Sequence, residues 1–190
     1  MAVVVRDATV GDVTAINDLA NLNLETTTVV WSDTKRTYEL RREWFDSQRA
    51  CGNPVLVAIG PSETFLGFAS YGDFRDSSRL NGYRFVAEHT IHVSPNAHGR
   101  GIGSLLLQEL EQRASAAGKH CLIGVIDGDN QESIAFHSRH GYTEAGRLPE
   151  IGWKLDRWLT MVLLQKILDP GGRREERDQK ARFLPKREGE

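Results

Sequence analysis

From Ile91 to Ser104 the chain reads Ile-His-Val-Ser-Pro-Asn-Ala-His-Gly-Arg-Gly-Ile-Gly-Ser, with glycines at 99, 101 and 103. An apolar strand pattern runs straight into these glycines, and they open a helical pattern. Glycines at alternate positions remove side chains where a ligand must come close. The unpaired amides of a helix's first turn, with the positive end of the helix dipole behind them, then form an anion site. A pyrophosphate suits that chemistry, and Arg100 adds a mobile positive charge. A Walker A loop needs Gly-Lys-Ser/Thr, and no lysine stands here. A Rossmann fingerprint needs a third glycine where Ser104 stands. Glycines that serve turn geometry alone are the competing reading.

Glu88 interrupts an apolar strand pattern, an unusual place for a carboxylate. With a period of two, Val86, Glu88, Thr90 and His92 share one face, and Ala87, His89, Ile91 and Val93 the other. Glu88 then points either into a partly apolar cleft or out to solvent. His137 follows Asn130 by seven residues, two turns along one helix that Asn130 opens as an N-cap. Taken alone, His137 and His140 read as a polar helix face, and Arg75 as a solvated loop arginine. His89 and His92 face opposite sides of a regular strand, and His137 and His140 lack a third ligand nearby in sequence. No metal is expected.

The elements that must position these groups are legible from periodicity. Val3–Val5 is a short strand. Thr9 is placed to cap a helix over 10–24 with Val13, Ile16, Leu19 and Leu22 inward, and Thr34 a second helix with Tyr38, Leu40, Trp44 and Phe45 on its apolar side. Strands follow at 55–59, 65–71 and 83–93, the first two antiparallel, with a polar loop over 72–82. A helix over 102–117 turns Leu105, Leu106, Leu110 and Ala114 inward; then come a strand at 121–126, a helix ending at His140, and strands at 142–147 and 158–164. The order β-α-α-β-β-β-α-β-α-β-β predicts an α/β fold, a mixed sheet of about seven strands with helices on both faces.

The chain has 190 residues, enough for one domain and a sizeable core. Composition shifts at Asp169-Pro170-Gly171-Gly172. Residues 169–190 read as a charged, mobile tail of net +1, and residues 1–168 as a domain of net −3. The formal net charge of −2 excludes a strong bulk pull toward nucleic acid or anionic membrane. Cys51 and Cys121 match no zinc or redox spacing and read as reduced core residues of a cytoplasmic protein. Neither a signal peptide nor a membrane span is visible in the sequence.

The glycine turn resembles the coenzyme-A-binding motif of the GNAT superfamily of N-acetyltransferases, Gln/Arg-x-x-Gly-x-Gly/Ala. Gly101 and Gly103 match, and His98 stands where Gln or Arg is usual. The resemblance covers residues 3–167. Trp31, Trp44-Phe45-Asp46, the run 69–75, the run 88–93, Asn130-x-x-Ser133-x-x-x-His137-x-x-x-Gly141-Tyr142, Gly146-Arg147 and Gly152-x-Lys154-x-Asp156-Arg157-Trp158 resemble the phosphinothricin and methionine sulfoximine/sulfone acetyltransferases.

That resemblance implies an enzyme that moves an acetyl group from acetyl-CoA, without metal, to the α-amino group of a small amino-acid-like substrate. It implies Glu88 as general base acting through a water, and His137 near the departing sulfur. Acetyl-CoA is expected on Ile91, His92, Val93, Gly99, Arg100, Gly101, Ile102, Gly103, Ser104 and Asn130, with the amides of Ile91 and Val93, past a bulge, on the pantetheine and the carbonyl. The substrate is expected on Arg75, Glu88, His89 and Thr90, with Arg75 holding its carboxylate. Asp76-Ser77 follows Arg75 where relatives have a Pro-aromatic pair, and the link to Glu88 is about three residues longer. The alternatives are acetylation of a protein N-terminus or lysine, and a non-catalytic acyl-CoA-binding module. Family habit points to a homodimer, with Trp153 and Trp158 serving that interface or the core.

Overall fold

The computed structural model describes residues 2–168; the expected tail, 169–190, lies outside the described residues. Seven strands form one sheet in the order β1-β2-β3-β4-β5-β7-β6, made of β1 (Val4–Asp7), β2 (Val55–Ile59), β3 (Phe65–Asp73), β4 (Val86–Val93), β5 (Cys121–Asp127), β6 (Thr143–Lys154) and β7 (Arg157–Ile167). All neighbours pair antiparallel except β4 and β5, which run parallel. Four helices accompany it: α1 (Val13–Thr26), α2 (Tyr38–Ala50), α3 (Ile102–Ala116) and α4 (Gln131–Arg139).

The continuous apolar run of β2 has a simple cause. Val55, Val57 and Ile59 pack with Val13, Ile16, Leu19 and Phe45 of α1 and α2. Leu56 and Ala58 on its other face pack with Leu106, Leu107 and Leu110 of α3. The strand is therefore buried on both sides, and helices cover both faces as the pattern predicts.

Several boundaries differ from expectation. Thr9 opens a 3-10 turn over Val10–Asp12 that precedes α1. Asp12 takes a bidentate bond from Arg6, at 2.8 and 3.0 Å, and the Thr9 amide at 2.7 Å. The cap of α2 is Thr37, whose hydroxyl accepts from the Leu40 amide, and not Thr34. Asn17 and Asn21 of α1 grip the backbone of Arg36, which delays the helix until the chain is released from α1. Of the expected apolar side of α2 only Phe45 is fully buried; Tyr38 and Leu40 are exposed. In α3 the inward phase takes Leu107 rather than Leu105, which is 42% exposed. On α1, Leu22 is exposed too.

Strand β4 begins at Val86, because Asn81–Tyr83 form a 3-10 turn closed by Tyr83 and Arg84 amides. Cys121 is buried, but Cys51 is exposed at the end of α2, and both are free thiols. The last two strands are longer than expected. Leu155 and Asp156 both have positive φ, 49° and 56°, the geometry of a tight hairpin turn, so pairing extends to Lys154↔Arg157. Among the described residues no helix is long and apolar enough to cross a membrane.

One feature of the sheet creates the site. β4 pairs with β5 only from Val86↔Cys121 to His89↔Gly124, and beyond that the parallel strands part. The bulge expected near Ile91 is absent from the pairing with β3, whose register runs unbroken from Gly67↔Val93 to Asp73↔Ala87. The opening comes from the lost partner strand, not from an extra residue.

Candidate active site

Three adjacent spaces run along the parted edge of β4. The largest, about 790 Å³, lies between the glycine turn and α4. Gly101, with φ of 78°, sits in the left-handed region that glycine tolerates and delivers the chain into α3. The first helical bond of α3 joins the Leu105 amide to the Gly101 carbonyl, so the amides of Ile102, Gly103 and Ser104 precede any intrahelical partner. Val93, Gly99, Gly101 and Asn130 also line this space. Asn130 caps α4 through a 3.0 Å bond from the Ser133 amide. His98, in the place of Gln or Arg, bonds the Val93 carbonyl at 3.0 Å and so ties the turn to the strand end. A side chain on Gly103 would meet Phe136 at 3.3 Å, so that glycine serves helix packing rather than open space. Arg100 is exposed and does not line the cavity. Neither does the side chain of His92, which bonds Asn23 at 2.7 Å and stacks on Phe68 toward α1.

The second space, about 360 Å³, brings Glu88, His89, Thr90, Ile91 and His137 together, and it shares Ile91, Ser133 and His137 with the first. Glu88 is partly buried, and burial pushes its pKa above the usual carboxylate range. His89 and His137 are both buried, with their Nε2 atoms 3.0 Å apart. His137 Nδ1 lies 2.8 Å from the Ser133 carbonyl, which only accepts, so Nδ1 carries the proton. Burial drives the His89 pKa down to about 3 and lowers that of His137, so both rings are neutral. His137 Nε2 is then a bare lone pair, and His89 Nε2–H completes the bond. Tyr142 packs against both rings, with centroids 5.3 Å away.

The third space, about 230 Å³, shares Val30, Thr90 and His92 with the second and lies between β3–β4 and α1–α2. Ser70, which pairs with Thr90 across the two strands, and Arg41 and Trp44 of α2 contribute to its wall. Arg75 lines none of the three spaces. It is exposed, over the ring of its neighbour Phe74, on a loop folded on itself by Ser77 bonding Asp73 and Ser78 bonding Asp76.

An anion-binding turn, a carboxylate beside a buried histidine pair, and a small third space form one line of chemistry. The pattern of the Acetyltransferase (GNAT) family matches residues 16–142. The chain belongs to this family. It is an N-acetyltransferase that uses acetyl-CoA.

The L-methionine sulfoximine/L-methionine sulfone acetyltransferase of Pseudomonas paraeruginosa is 38% identical over 170 residues, 90% of this chain and 97% of that one. A phosphinothricin acetyltransferase from Sinorhizobium meliloti, solved in complex with acetyl-CoA, superposes with a TM-score of 0.83 at 30% identity, covering 88% of this chain and 89% of that one. A ribosomal-protein-alanine N-acetyltransferase from Brucella melitensis superposes at 0.82 with 37% identity, covering 86% and 99%. The fold and family expected from the sequence are thereby borne out.

The walls of these spaces in the acetyltransferase are also held by residues with no role assigned from the sequence. Lys154, 2% exposed, ends β6 inside the protein. Its ammonium donates to the carbonyls of Leu24, Thr27 and Val30 at 2.5, 2.8 and 2.5 Å. All three donors of the ammonium are used. The segment after α1 is thus fixed where Val29, Val30 and Trp31 wall the second space. Trp31 lies flat against Gly152, where any Cβ would come within 2.5 Å of its ring. In the sequence Trp31, Gly152 and Lys154 stood only as parts of the motifs that carry the family resemblance, with no role attached. Arg41 carried no trace beyond a charge on a helix.

Proposed function

We propose that this acetyltransferase acetylates the α-amino group of a small amino acid of the methionine sulfone, methionine sulfoximine or phosphinothricin type. The observation that carries the reading is the third space. It adjoins Glu88's cavity, and Ser70, Thr90, Arg36 and Arg41 in its wall suit the charged and polar ends of a small zwitterion; at Ser32, Thr34, Arg36 and Trp44 it opens into a wider hollow. The relative from Pseudomonas carries the matching activity in its name.

In this reading the amides of Ile102, Gly103 and Ser104 hold the pyrophosphate of acetyl-CoA, and the backbone of Ile91 and Val93 lies along the pantetheine. Arg100 reaches the nucleotide phosphates from solvent. Glu88, directly or through one water, takes a proton from the acceptor ammonium. The neutral amine then forms a bond to the thioester carbonyl carbon, and the carbon–sulfur bond breaks. His137 orients rather than donates: its Nδ1–H is held by Ser133 and its Nε2 accepts from His89. The proton that the amine nitrogen sheds as the amide forms is the one the departing thiolate needs.

The chain works in the cytoplasm as a homodimer. Ile151, Trp153, Leu155 and Trp158 on the β6–β7 hairpin support the second point, since all four are about half exposed. The second reading is a protein N-acetyltransferase, favoured by the name of the Brucella relative. Acetyl-CoA turnover on methionine sulfone, methionine sulfoximine and phosphinothricin, beside peptides beginning with alanine, tests the proposal. Turnover of the amino acids supports it. Turnover of the peptides alone overturns it.

A further inference from the structure

Arg41 reaches the third space from α2, and among the described residues no carboxylate meets it. Arg6, Arg42, Arg113, Arg147 and Arg157 each pair with an aspartate or glutamate within 3.2 Å. Among the described residues Arg41 has only a long contact to Asn17 Oδ1, at 3.4 Å, and the face of Trp44, 5.0 Å from its guanidinium carbon. The other charge that bears on it is Arg36, which repels it. Burial lowers its pKa to about 10, so it stays cationic at neutral pH. A partly buried guanidinium has five donors to satisfy and is costly to leave unpaired.

The surroundings point the same way. Ser70 and Thr90 add hydroxyl donors to the wall that Arg41 lines. Thr90 stands two residues from Glu88 on the same face of β4, roughly 6.5–7 Å along the strand. Among the described residues no negative side chain lines this space, and a ligand's anion suits it.

We propose that Arg41 is the anion-recognition residue of the acceptor site, where it grips an oxyanion of the acceptor, carboxylate or phosphinate, in bidentate fashion while the amine faces Glu88. This rests on the amino-acid acceptor reading above, and it moves anion recognition from the exposed loop of Arg75 to the interior of α2. Planar two-point bonding suits an arginine over a lysine.

The test is kcat/KM for wild type, Arg41→Met and Arg41→Lys on three acceptors: methionine sulfone, its α-amide, and phosphinothricin. Loss of the charge should cost about 30- to 1,000-fold on the acceptor whose anion Arg41 reads. It should leave the KM for acetyl-CoA within about threefold, which also shows that the variant is folded. A loss on methionine sulfone but not on its amide assigns the α-carboxylate. A loss on phosphinothricin alone assigns the phosphinate. Equal losses on all three, or none on either anionic acceptor, overturn the proposal. Arg41→Lys keeps the charge but not the two-point geometry and should lose less than Arg41→Met; Arg41→Gln gives the charge-loss comparison if the methionine variant does not fold.

Binding is read separately from turnover, by titrating methionine sulfone and phosphinothricin into the CoA-bound protein and following tryptophan fluorescence. Wild type that turns over no amino acid, yet binds them in an Arg41-dependent way, keeps the subsite and loses the proposed acceptor class. Wild type that turns them over while the variants bind and react unchanged keeps the class and loses the subsite. Absence of both binding and turnover in wild type overturns both.

Discussion

His137 shows how far a single residue's chemistry depends on its partners. By resemblance it stands near the departing sulfur, with proton transfer or substrate placement as its expected role. In the fold its two nitrogens are already committed, one to Ser133 and one to His89. A ring so held has no free N–H to give, and in the proposed mechanism it orients the thioester. His137→Ala should therefore lower kcat by about tenfold, well short of the roughly 10²–10⁴ of a lost acid or base. A hundredfold or larger loss would make His137 the proton donor. The glycines and Asn130 were readable because turn chemistry and helix capping are local rules; strand period left Glu88 facing a cleft or solvent, and only the resemblance gave it a role. Arg41 was not readable: a charge on an exposed-looking helix reaches the third space only through the packing of α2 on α1 and β2, which no local pattern encodes. Arg75 was readable as a motif, but the longer, self-bonded loop that carries it keeps it out of the three spaces.

At the scale of elements, the central device is the segment between α1 and α2. It has no regular structure and still walls the site, because Lys154 holds three of the carbonyls in and around it. Lys154→Met keeps the volume and removes the donors, leaving three carbonyls to find water. The expected result is a stability loss of about 2–4 kcal/mol, read by chemical denaturation. Because Val29, Val30 and Trp31 shift, the acceptor KM should rise several-fold while the KM for acetyl-CoA holds. Equal rises in both constants would mean that Lys154 supports the fold as a whole and not this wall. The sequence placed every strand and helix in order, yet missed the start of α2 and the length of the last hairpin. Both depend on contacts between distant elements: asparagines of α1 gripping Arg36, and a turn at Leu155-Asp156 that joins two strands with little burial.

For the whole molecule, one sheet with helices on both faces was predictable from alternation alone, since doubly buried strands such as β2 read as continuous apolar runs. What alternation cannot tell is where two parallel strands part. That parting after His89 and Gly124 is the origin of the groove, and Glu88 lies on its lip. In the proposed function Glu88 is the base that serves a small amino acid. The measurement that tests it most directly is the pH profile of kcat on methionine sulfone, for wild type and Glu88→Gln. Glu88's pKa is raised by burial, so wild-type activity should fall as pH drops, with a midpoint above the ordinary carboxylate range. Glu88→Gln should lower kcat by about 10²–10⁴, abolish that acid limb, and leave acetyl-CoA affinity unchanged. A variant with near-normal kcat and the same acid limb would contradict the account.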